Sequence, residues 1–89
     1  MNHSMSTDSA ICEQQKSDLL KTVAANLKAF RNNSSLTQEQ LAERTSLSTE
    51  TIGNLENAKS WFSLDSIVKI SSALSIKPYQ LLLNPSNDE

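Results

Sequence analysis

The sequence predicts an all-helical fold, a compact bundle of five short helices, and three observations carry that reading. Apolar residues recur at spacings of three and four rather than two, the helical period. Only one Gly and two Pro occur in 89 residues, so few positions interrupt a helix. A hydrophobic staple, two apolar residues five positions apart across a candidate N-cap, recurs along the chain. It appears as Leu36/Leu41 around Thr37, Leu47/Ile52 around Ser48, Phe62/Ile67 around Ser63 and Ile76/Leu81 around Lys77. Each staple marks a helix start, and an earlier apolar stripe supplies the fifth helix.

Taken in order, residues 1–16 are polar without a sustained apolar period and are read as a disordered tail. Helix one is expected from about Ser17 to Asn32, with Leu20, Val23, Leu27 and Phe30 on one face. Helix two covers 38–45; Thr37 with Gln40 three residues on makes a capping box. Helix three covers 49–57. Helix four covers 64–74, with Leu64, Ile67, Val68, Ile70, Ser71 and Leu74 as its inner stripe. Helix five covers 78–83 and opens with Pro78 at the favoured first position. Residues 85–89 form a second polar tail, leaving one domain at 17–84. Aromatic residues make up only 4% of the chain, so the core must be aliphatic.

Net charge is -2, yet its distribution is uneven. Seven basic side chains face five acidic ones between residues 19 and 84, and the surplus of acid lies in the tails. A mildly basic ordered part permits nucleic-acid binding without diagnosing it. No apolar run approaches membrane-spanning length and no signal-peptide core is present. A lone Cys12 makes no internal disulfide, and a cytoplasmic location is expected. The sole histidine, His3, and Cys12 both fall in the N-terminal tail. There is no metal-ligand spacing, Gly-rich phosphate loop or nucleophile elbow. Neither enzymatic activity, a cofactor nor a metal is expected.

The most informative stretch is Gln38 to Glu56, QEQLAERTSLSTETIGNLE. Two short helical patterns meet at a tight Thr45-Ser46-Leu47 break. Leu41, Ala42, Leu47, Ile52 and Leu55 are its apolar positions, which leaves the outer face of the second helix polar. A helix presented that way fits the major groove of DNA.

Together with LTQEQLA at 36–42, the IxxLEN pattern at 52–57 and ALSIKPYQLL at 73–82, this stretch resembles the XRE, or Cro/lambda-repressor-type, helix-turn-helix domain over roughly residues 19–84. The resemblance implies a lambda-repressor-like fold that binds double-stranded DNA. Four positions depart from the family pattern. Ser46 stands where glycine is usual in the turn, Thr45 replaces an aliphatic residue, Ala58 replaces a glycine ending helix three, and Gly53 lies inside the recognition helix. Gly53 there costs up to about 1 kcal/mol of helix propensity against alanine.

The resemblance also implies roles for individual residues. Thr49, Glu50, Gly53 and Asn54 would face the bases. Thr49 would bond a base or touch a thymine methyl, Glu50 accept from cytosine, Asn54 bond adenine, and Gly53 allow close approach. Gln38, Ser48, Asn57, Lys59 and Ser60 would lie at the phosphates. Arg31 and Glu56 would meet as a partly buried clamp orienting helix three. Trp61 is expected to pack on its loop. Tyr79, Leu82 and Leu83 would face a second copy while Leu81 faces inward, because one short terminal helix cannot turn them all to one core. The implied function is a homodimeric, sequence-specific transcriptional repressor on a two-fold operator. The rival is an antitoxin-like interaction module, its protein partner engaged through the tails and its DNA binding secondary.

Overall fold

The computed structural model describes residues 5–84, with side-chain surroundings from Ser9 onward. The chain runs α1 (Met5–Asn33), α2 (Gln38–Thr45), α3 (Thr49–Glu56), α4 (Leu64–Leu74) and a single 3-10 turn (Pro78–Leu81). There is no strand among the described residues. The fold class is all-helical, with four α-helices and a 3-10 turn in place of five helices.

Local chemistry sets each start. Thr37 Oγ1 accepts from Gln40 N at 3.0 Å while Gln40 Oε1 accepts from Thr37 N at 2.8 Å. Ser48 Oγ accepts from Thr51 N, and Ser63 Oγ accepts from Ser66 N, each at 3.0 Å. These oxygens satisfy first-turn N–H groups that have no intrahelical partner. Both members of all four staples end in one core: Leu36, Leu41, Ile52 and Leu81 are buried, and Leu47, Phe62, Ile67 and Ile76 pack against them. Val23, Leu27, Leu55, Ile70 and Leu74 complete it.

The helix ends are equally regular. Ser35, Ser46, Ala58 and Ser75 all take the left-handed conformation, with φ of 59°, 63°, 57° and 59°. After each, the next N–H reaches back to a carbonyl five residues earlier: Leu36 to Arg31, Leu47 to Ala42, Lys59 to Asn54 and Ile76 to Ser71. This is the Schellman bond. The ends are therefore sharp even though glycine, the residue best suited to that conformation, occupies none of them.

Three expectations are corrected. The expected disordered stretch before Ser17 is helical from Met5, so α1 begins twelve residues early. Between Met5 and Asn33 there is no Gly or Pro, and a helix nucleated on the core propagates at little cost through the straight-chain run Glu13, Gln14, Gln15 and Lys16 next to its packed part. Gln14 Nε2 to Asp18 Oδ1 at 3.0 Å and Lys16 Nζ to Glu13 Oε2 at 3.1 Å add side-chain support, although residues 9–16 are all exposed.

In α4, Leu64 (82% exposed) and Val68 (55%) point outward instead of joining the inner stripe. The buried side is set by Ile67, Ile70, Ser71 and Leu74, and Leu64 and Val68 lie off it beside the exposed Asp65–Lys69 pair.

The third correction concerns the last helix, which is the 3-10 turn only. A helix continued past it would have to give Leu81 O the N–H of residue 85, a proline that has none. Asn26 Nδ2 instead donates to Leu81 O at 2.8 Å and Leu83 O at 2.7 Å, tying this end of the chain to α1. The expected tail at 85–89 lies outside the described residues.

Ala58 is the non-glycine, non-serine member of the left-handed set. A left-handed L-residue costs about 1–2 kcal/mol, offset in part by the entropy glycine loses on folding. Ala58→Gly should therefore stabilise the domain by up to about 1 kcal/mol, a rise of several degrees in Tm for a chain of this size. A thermal melt that is unchanged or lower shows that the turn carries no such strain.

Candidate nucleic-acid interface

The centre of the site is a carboxylate. Glu56, the last residue of α3, has a side chain only 2% exposed, and its partner Arg31 near the end of α1 is 10% exposed. Arg31 Nε donates to Glu56 Oε2 at 2.5 Å and Arg31 Nη2 donates to Oε1 at 3.0 Å, a two-point fork. Arg31 Nη1 donates to Leu36 O at 2.7 Å. Gln38 Nε2, from the first residue of α2, donates to Glu56 Oε1 at 3.0 Å. One carboxylate and its arginine thus tie the end of α1, the α1–α2 turn, the start of α2 and the end of α3.

Burial alone would push the Glu56 carboxyl up. The hydrogen bonds from Arg31 and Gln38, with the charges of Arg31 and Lys28, outweigh it and hold Glu56 below the ordinary carboxylate value of 4.5. The Glu56 bonds hold Arg31 above its ordinary value, against the cost of burial. Charge-assisted, two-point pairing of this kind fixes geometry as well as sign.

The other face of α3 is polar and open. Thr49 and Glu50 are exposed, and Gly53 and Asn54 are half-buried. Ser48 is committed locally: its hydroxyl accepts from Thr51 N and donates to Thr51 Oγ1 at 2.8 Å. Asn57 and Lys59 are exposed past the end of α3, and Ser60 is half-buried. The Lys59 backbone is pinned by its N–H to Asn54 O at 2.8 Å. Thr49, Glu50, Gly53 and Asn54 therefore share the α3 surface, and Ser48, Asn57, Lys59 and Ser60 lie at its two ends. Gln38 does not project from the first turn of α2; its amide turns onto α3 and lies 3.7–3.9 Å from where a Cβ on Gly53 would be.

At the turn, Thr45 is buried, and its hydroxyl donates back to Leu41 O at 2.9 Å. The buried hydroxyl is thereby satisfied, and the domain accepts threonine at an aliphatic position. Trp61, expected to pack on its loop, is 62% exposed. With Lys16, Leu19, Leu20, Val23, Phe62, Ile67 and Leu82 it lines a largely apolar groove of about 260 Å³. Tyr79, Leu82 and Leu83 are exposed, whereas Leu81 is fully buried.

Two functional contacts escaped sequence reasoning. Asn26 lies three residues after Val23 and four before Phe30, a polar side chain on an apolar stripe, and that position was its available signal. The Gln38–Glu56 bond had no sequence signal of its own. No group of His, Cys, Asp or Glu suited to a metal occurs among the described residues, and no helix there is long and apolar enough to cross a membrane.

A family model described as helix-turn-helix (HTH_3) matches residues 27–81, from the buried Leu27 in the last two turns of α1 to the end of the 3-10 turn. The chain belongs to this helix-turn-helix family. A hypothetical transcription factor of Neisseria meningitidis serogroup B is 35% identical over 68 residues, which is 76% of this chain and 64% of that protein. The chain thus spans a little under two thirds of that relative's length. Control protein C.SmaI of Serratia marcescens is 32% identical over 65 residues, 73% of this chain and 77% of that one. Among solved structures, the hypothetical transcription factor NHTF from Neisseria superposes with a TM-score of 0.75 at 34% identity, covering 80% of this chain and 82% of that one. The restriction-modification controller protein C.AhdI from Aeromonas hydrophila gives 0.68 at 32% identity, covering 70% and 94%.

The clamp makes a two-part prediction. Arg31→Ala leaves Glu56 buried beside Gln38 alone and should cost about 3–5 kcal/mol; an exposed pair would cost about 1 kcal/mol or less. Because folding lowers the Glu56 value, its contribution is complete above 4.5 and drains away as pH falls through the lower folded value. Denaturant melts across the acid range should show Glu56→Gln losing less stability on acidification than wild type. Equal slopes would remove Glu56 as a source of acid sensitivity.

Proposed function

We propose that this protein is a sequence-specific, DNA-binding transcriptional regulator that inserts α3 into the major groove. The observation that carries this reading is the contrast between the two faces of α3. One is buried and locked by the Arg31–Glu56 pair, while the other presents Thr49, Glu50, Gly53 and Asn54 toward solvent on a rigid support. The helix-turn-helix family and the transcription factors and controller proteins it resembles support the same reading.

In this arrangement Thr49, Glu50 and Asn54 reach base edges. The missing side chain at Gly53 lets the helix axis approach. Asn57, Lys59 and Ser60 beyond α3 meet the flanking phosphates and set the register, while Ser48, its hydroxyl held by Thr51, caps the start of the helix. One small module makes few such contacts, so tight binding calls for two. The second copy packs on Tyr79, Leu82 and Leu83, which continue through Leu82 into the groove bordered by Trp61 and Leu19. Two-fold pairing there sets recognition helices about 34–36 Å apart, one turn of DNA. Occupancy of such an operator blocks other proteins from the same DNA, and we read the regulator as a repressor on that ground.

Selection of bound sequences from a random DNA pool tests this directly. Wild-type protein should enrich a two-fold site. Asn54→Ala should relax one base pair per half-site by about 1–3 kcal/mol without unfolding the domain. Lys59→Ala should weaken all sequences alike and flatten the dependence of log K on log salt by about one unit. A pool with no enrichment sinks the proposal. An unchanged consensus in Asn54→Ala, or an unchanged slope in Lys59→Ala, removes that residue.

For the dimer, sedimentation at micromolar concentration should show wild type paired and Leu82→Glu monomeric. A wild-type monomer, or a variant that still pairs, places the contact elsewhere.

A further inference from the structure

The amide of Gln38 occupies the space that a side chain at position 53 would claim. Its Oε1 lies 3.7 Å and its Nε2 3.9 Å from the position of a Cβ on Gly53. Gly53 sits between Glu50 and Asn54 on the open surface of α3, and it is the chain's one glycine. The amide orientation is decided by chemistry. A carboxylate only accepts, so the Gln38 nitrogen must be the atom facing Glu56 Oε1, at 3.0 Å. That leaves Oε1 and the second N–H of Nε2 without a hydrogen-bond partner among the described residues, at the edge of the α3 surface.

We infer that Gln38 is a base-reading residue, supplying from α2 the polar group that α3 lacks at Gly53, and that the base it reads is adenine. This rests on the DNA-reading function proposed above. An amide with one free acceptor and one free donor matches the N6 donor and N7 acceptor of adenine in the major groove. Guanine shows two acceptors on that edge, so the acceptor of the amide would be opposed there. Glu56 acts here as a positioning residue: its bond to Gln38 fixes which way the amide faces before DNA arrives. A phosphate contact, by contrast, requires only a donor, reads no sequence, and gives no use to the free Oε1.

Random-pool selection with wild type, Gln38→Ala and Gln38→Met tests the assignment. The methionine variant keeps a side chain of similar length over Gly53 but has no amide, and both variants retain the Arg31–Glu56 fork that holds the fold. The expected result is an A·T pair in each wild-type half-site whose preference falls about tenfold in both variants, the rest of the consensus being kept. An even loss of affinity for all sequences with the consensus intact overturns the inference and makes Gln38 a backbone contact. Loss of all sequence preference in folded variants overturns it too, since that is not the behaviour of one base contact. A wild-type pool with no enriched sequence defeats the proposed function itself, an outcome distinct from both.

Discussion

The pairing of Arg31 with Glu56 is the constraint on which the rest of this structure depends. α2 and α3 are eight residues each, far below the length at which a helix persists alone, so their angle must be held from outside. Apolar packing through Leu41, Ile52 and Leu55 is strong but non-directional. The fork from Arg31 is directional. It attaches the last turn of α3 to the last turn of α1, and through Leu36 O it also fixes the loop that launches α2. With Gln38 on the same carboxylate, the exposed side of α3 inherits its aim from a buried charge pair on the opposite side.

Much of this was legible in the sequence because it is local. Staples and caps act over five residues, and Thr37, Ser48 and Ser63 mark their helices where the structure has them. The left-handed Ser46 was legible as a departure at a turn position. What failed was what depends on distant partners or on the lack of them. The polar residues before Ser17 carry no apolar stripe, which reads as disorder, but helix propagation needs no stripe. The apolar character of Leu64 and Val68 was mistaken for burial, although the α4 face is chosen by what lies opposite. The end of the chain is held to α1 by Asn26, 55 residues away from Leu81, and no local rule contains that bond.

At the candidate site the same division holds. The polar surface of α3 follows from spacing once Ser48 is taken as the cap, and the resemblance implied that Arg31 and Glu56 meet, as they do. The posture of Gln38 was not legible. A glutamine at the first position of a helix suggests a group reaching outward, and only in the folded chain is it seen turned back onto Glu56 and Gly53. An empty position in one helix is thus complemented by a side chain from another, and reading α3 alone undercounts the chemistry of its surface.

The four left-handed helix ends bear on the lifetime of the protein. Ser35, Ser46, Ala58 and Ser75 each hold a conformation that glycine would adopt with less strain, in a domain whose total stability is expected at only about 5–15 kcal/mol. Strain spread over every inter-helix junction leaves a larger share of molecules transiently open, and open chains are what proteases cleave. Any ligand that engages only the folded form shifts that balance by mass action. Copies held on a ligand would outlast free copies, so the abundance of the protein would follow its occupancy as well as its synthesis.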